Sequence, residues 1–82
     1  MSPQERSAKL SQTISAVLGV SQDLIKENTS PDTLSEWDSV AHLNLVVALE
    51  DTFGVSFSPD ETMELTSVRL INLFLDEKLG AA

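Results

Sequence analysis

The tetrapeptide Ser-Pro-Gln-Glu at 2–5 returns as Ser-Pro-Asp-Glu at 58–61. In both copies a serine can accept a hydrogen bond from the turn that follows. Proline takes the first helical position, where its missing N–H costs nothing, and glutamate stands three residues after the serine. Each copy therefore marks a helix start. After the first, Leu10, Ile14, Val17 and Leu18 recur at helical spacing up to Gly19, a residue suited to a left-handed C-terminal stop. A longer apolar-periodic run goes from Asp38 or Ser39 to Phe53 and stops at Gly54. The second signature leads into a short helix through Met63 to Leu65. Thr66 or Ser67 then opens a last helix that carries Val68, Ile71, Phe74, Leu75 and Leu79 inward. No stretch alternates with the period of a strand. The punctuation predicts an all-α fold: a small four-helix bundle with a long loop between helices 1 and 2 and a short third helix.

Eighty-two residues make one domain, spanning 1–82, the expectation, and an apolar fraction of 41% supplies one core but hardly a deep substrate pocket as well. The segment Val20 to Trp37 reads as loop, with Ser-Pro-Asp at 30–32 as a turn and Leu24, Ile25, Leu34 and Trp37 folding down onto the core. A loop this long in a small domain is uncommon and often functional. Several chemistries are excluded. Without cysteine there is no disulfide, thiol nucleophile or thiolate metal site. The acids do not follow a calcium-loop pattern, and three glycines, at 19, 54 and 80, build no phosphate loop. The start lacks the apolar stretch of a signal peptide, and no run is long enough to span a bilayer, so a cytoplasmic protein is expected.

Thirteen acidic against five basic residues give a formal charge of −8. Their placement matters more than the sum: from Glu27 to Val68, both included, there is no Lys or Arg, but nine acids. Such a surface repels phosphate backbones and anionic lipid, which argues against nucleic acid and membrane as partners and for proteins with basic docking surfaces.

On the second helix Leu43, Leu45, Val46, Leu49 and Phe53 form one apolar arc that can face the other helices. Val40 and Val47 fall at or beyond its edge and join Asn44 and Asp51 in a second stripe. That stripe is either covered by the long loop or a mixed docking strip for another protein, with Glu50 beside it. His42, the only histidine, lies within the arc, where a tucked, hydrogen-bonded side chain is expected. Asp38, Ser39 and His42 include the residue types of a nucleophilic triad. Positions three apart on one helix do not aim an imidazole at a hydroxyl, however, and nothing supplies an oxyanion hole. No catalytic residue is assigned, and the chain is read as a non-enzyme.

Taken together, "LGV" at 18–20, the acidic loop, "DSV" at 38–40, "LVVALEDTFGV" at 45–55 and "SPDE" leading to "TSV" resemble the acyl carrier proteins over nearly the whole chain, from about Leu10 to Leu79. The resemblance implies phosphopantetheine attached to Ser39, with Asp38 as the motif acid read by a phosphopantetheinyl transferase, and thioester-bound cargo delivered to acyl-activating or acyl-transferring enzymes. A monomeric, stand-alone carrier is expected. Where carriers of primary fatty acid synthesis usually have acids early in the second helix, this chain has Ala41 and Asn44, and Trp37 precedes the motif in place of a small residue. A specialised lipid or secondary-metabolite pathway is therefore expected. An aminoacyl or peptidyl carrier and an unmodified carrier-like scaffold are the alternatives.

Overall fold

A computed structural model describes residues 2–79 and contains four helices in chain order: α1 (Pro3–Leu18), α2 (Ser39–Phe53), α3 (Pro59–Glu64) and α4 (Val68–Lys78). Each start is where the sequence puts it. Ser2 accepts from the Glu5 N–H, Asp38 from the Ala41 N–H, Ser58 from the Glu61 N–H and Ser67 from the Leu70 N–H. On α3 the cap is reciprocal, because the Glu61 side chain also accepts from the Ser58 N–H at 2.8 Å. The long helices α1 and α2 end on Gly19 and Gly54, whose φ angles of 70° and 66° lie in the left-handed region. Nothing stands within 4 Å of a Cβ added at either position, so glycine is needed for its backbone freedom and not for space.

One core joins all of this. α1 contributes Leu10, Ile14 and Leu18, α2 contributes Leu45, Val46, Leu49 and Phe53, and α4 contributes Val68, Ile71 and Leu75. Each such side chain, fully buried, is worth about 1.5–3 kcal/mol. α3 buries none of its own residues, and Leu65, immediately after it, is its buried anchor. Six residues are too few to hold a helix alone. Polar ties supplement that anchor. Lys78 of α4 pairs with Glu61 at 2.9 Å, and its ammonium lies 5.3 Å from the centre of the Phe57 ring. On the other side Arg6 ties α1 to α4 through Asp76, at 3.2 Å, and Asn72.

The segment between α1 and α2 is more ordered than a plain loop. It includes a single 3₁₀ turn at Gln22–Leu24 that the sequence reading does not resolve. Buried Thr29 organises it, accepting from the Lys26 N–H and donating to the Leu24 carbonyl. Ile25 and Trp37 are buried and Leu34 packs against the core, as expected. Three apolar expectations need correction. Leu24 points outward from the 3₁₀ turn and is 52% exposed, because Thr29 holds that turn by its backbone. Leu43 is 62% exposed, since short α3 leaves that part of the apolar arc uncovered. Leu79 follows the last turn of α4 and is likewise exposed.

Candidate functional site

The start of α2 is built differently from the other helix starts. Asp38 is the cap, its Oδ1 accepting from the Ala41 N–H at 2.8 Å, so Ser39 is the first residue inside the helix. The Ser39 and Val40 N–H groups have no hydrogen-bond acceptor among the described residues. The Ser39 hydroxyl is exposed and takes part in no hydrogen bond there either. Several other serine hydroxyls are committed to the fold. Ser21, Ser58 and Ser67 cap helical turns, and Ser15 donates to the Val20 carbonyl. Unpaired N–H groups and the positive end of the helix dipole make this corner favourable to an anion.

Beside Ser39 opens a cleft of about 600 Å³ between α2, α3 and the loop. Asp38 and Ser39 lie at its mouth, Leu43 and Met63 form its sides, and Trp37, His42 and Leu65 close it toward the core. A chain of hydrogen bonds fixes that inner wall. The Trp37 indole N–H donates to His42 Nδ1 at 3.0 Å, and His42 Nε2 meets the Thr62 carbonyl at 2.9 Å. Indole nitrogen can only donate, so Nδ1 is the acceptor and the imidazole proton sits on Nε2, pointing at Thr62. The two rings are stacked, with centroids 6.1 Å apart. His42 is thus tucked and bonded, as its position in the arc predicts. Both of its nitrogens are engaged away from Ser39, an arrangement with no part in nucleophilic catalysis.

The stripe of Val40, Asn44, Val47 and Asp51 is exposed along its length, with Val40 at 69% and Val47 at 57%. The loop does not cover it. Glu50 differs from its neighbour: it is half-buried, and its Oε2 accepts from the Phe57 N–H at 2.9 Å. Sequence reasoning missed Leu43 and Met63 as cleft residues and Thr62 as a wall partner. The exposed methionine between acids in "PDETME" was the available signal for one of them. Thr62 contributes a backbone carbonyl, which no side-chain pattern encodes.

The family model described as "Phosphopantetheine attachment site" matches residues 8–71. The chain belongs to the acyl carrier protein family. No curated relative matches it significantly. Among solved structures, the holo acyl carrier protein from Geobacter metallireducens, determined by solution NMR, superposes with a TM-score of 0.80 at 27% identity, covering 89% of this chain and 84% of that one. The carrier is accordingly a non-catalytic protein whose cofactor is covalently attached phosphopantetheine. Its partners are phosphopantetheinyl transferases and acyl-handling enzymes. No described helix is long and apolar enough to cross a membrane.

Proposed function

We propose that Ser39 bears the phosphopantetheine arm and that the chain works as a stand-alone, single-domain carrier in the cytoplasm, delivering acyl cargo to dedicated enzymes of a specialised pathway. The observation that carries this reading is the Ser39 hydroxyl. It is exposed and uncommitted, held at the first position of α2 by the Asp38 cap, with two unpaired backbone N–H groups beside it. These residues fit the group. The hydroxyl oxygen would form the phosphoester, and the Ser39 and Val40 N–H groups face the region where its negative charge would lie. The arm supplies a terminal thiol for thioester chemistry, which a chain without cysteine cannot provide itself. Asp38 serves twice in this reading, as the cap that orients Ser39 and as the acid met by the transferase.

The exposed stripe supports a docking role. Val40 and Val47 offer apolar contact, and Asn44 lies between them. Asp38 and Asp51 at its two ends would meet basic groups of a partner enzyme. Glu50 is the weakest member of the set, since Phe57 already uses its carboxylate. An α2 face with Ala41 and Asn44 in its first half, in place of acids, supports a dedicated partner set over that of general fatty acid synthesis. The charge of −8 favours a monomer. The test is direct. With coenzyme A, magnesium and a broad-specificity phosphopantetheinyl transferase, the protein gains the mass of one arm, and Ser39→Ala abolishes that gain while the helical circular dichroism persists. A wild type that several transferases leave untouched would make this a scaffold. A modified Ala variant would move the site elsewhere.

A further inference from the structure

We propose that Trp37 and His42 are specificity-determining residues, a wall that keeps cargo in the open cleft over Leu43 and Met63 and out of the bundle interior. On this reading the carrier is suited to short or polar-substituted acyl groups and not to long unbranched chains. The inference rests on the assignment of the arm to Ser39. Ser39 stands at the mouth of the cleft, so a group tethered there meets this concavity first. Directly inward, the Trp37 ring is 2% exposed and belongs to the core, and Leu65 behind it is 0% exposed. The way between α2 and α3 is barred by the bonded pair of rings, fastened at one end to the residue before Asp38 and at the other to the α3 backbone. Letting an alkyl chain into the core would break both hydrogen bonds and leave the buried indole N–H unpaired, a penalty that the Thr62 carbonyl, which also accepts from the Leu65 N–H, does not share. The cleft itself is open, and Thr66 and Asp38 stand as uncommitted or partly committed polar residues at the edge of its mostly apolar lining, whereas both His42 nitrogens are taken. A short substituted acyl group finds partners there, whereas a long alkyl chain stays partly in water.

The experiment compares cargo lengths on the intact chain. Wild type, His42→Ala and Trp37→Phe are loaded by the transferase from acetyl- or octanoyl-coenzyme A, and intact mass verifies loading. Failure to load wild type overturns the attachment reading, and this one with it. With loaded protein, the octanoyl and acetyl forms of wild type are expected to melt within about 1 °C of each other, because little additional apolar surface is removed from water. Amide shifts between the two forms are confined to residues 39–43 and 62–66, and the Trp37 indole resonance stays in place. In His42→Ala and Trp37→Phe the wall is cut, and the octanoyl form melts several degrees above the acetyl form, with shifts at Leu45, Leu65 and Ile71. A wild type already stabilised by several degrees by octanoyl, with shifts in the core, overturns the wall while leaving the attachment at Ser39 intact. So does the absence of any chain-length effect in both variants. Trp37→Phe keeps a ring in the core, so a poorly folded His42→Ala would still leave one readable variant beside wild type.

Discussion

Two helix starts in this molecule share a Ser-Val pair, at 39–40 and 67–68, and the chain uses them in opposite ways. At α4 the serine is the cap, and every early donor is taken: Val68 N–H by the Thr29 carbonyl and Arg69 N–H by the Glu27 carbonyl, both at 2.9 Å, and Leu70 N–H by Ser67. Val68 is buried. At α2 the cap is displaced one residue upstream to Asp38, so the serine moves into the helix with its hydroxyl free, and Val40 turns to solvent. A shift of one position converts a structural start into a presented one. The lesson is that the acid before the serine is also a substitute cap, which releases the serine from structural duty.

The comparison breaks most visibly under one substitution made twice. Aspartate in the first turn of a helix is electrostatically favourable in both places, so Val68→Asp and Val40→Asp differ chiefly in burial. Val68→Asp is expected to cost more than about 3 kcal/mol, lowering the melting point of so small a domain by more than about 12 °C or preventing folding. Val40→Asp should stay within about 0.5 kcal/mol of wild type and instead slow transferase modification. Chemical denaturation and intact-mass time courses read the two effects separately. Equal losses of stability would mean that Val40 is covered.

A smaller contrast separates the serines. Ser67→Ala removes the cap of α4 and is expected to cost about 1 kcal/mol, at most about 2, while leaving modification intact. Ser39→Ala removes no cap, so its stability should remain within about 0.5 kcal/mol while modification vanishes. Urea titrations of the pair check this. A destabilised Ser39→Ala would give the hydroxyl a structural bond that the geometry does not show.

Much of this was legible in advance because caps, glycine stops and helical periodicity are local. The four helices, the exposure of the Val40–Val47 stripe as one of two alternatives and the tucked His42 all follow from residues close in sequence. What failed depended on distant partners. Leu43 fits the apolar arc by angle, and only the shortness of α3 leaves it bare. The sealing of α4 by the Thr29 and Glu27 carbonyls is invisible in side-chain identity, as is the meeting of His42 with the Thr62 carbonyl. Backbone acceptors twenty or more residues away carry no sequence label.

The least effect concerns how the sealed helix supports the open one. Lys78, near the end of α4, holds Glu61 on α3, and α3 is the far side of the cleft beside Ser39. The Glu61 carboxyl is held below its ordinary value of 4.5, first by the Ser58 N–H that donates to it and then by Lys78. Folding therefore favours the ionised form. Its contribution to stability is complete above 4.5, the unfolded value, and is lost as pH falls through the lower folded value. Glu61→Gln keeps an acceptor for Ser58 but discards the charge facing Lys78, so its own acid response lacks this step. The melting points of wild type and variant should differ modestly at neutral pH and converge as pH drops below 4.5. The pair is only part-buried, and the water that still reaches it keeps the difference small. A gap that stays constant through the acid range would mean that Lys78 does not hold α3 through charge. The far side of the cleft would then rest on Leu65 and the His42–Thr62 bond alone.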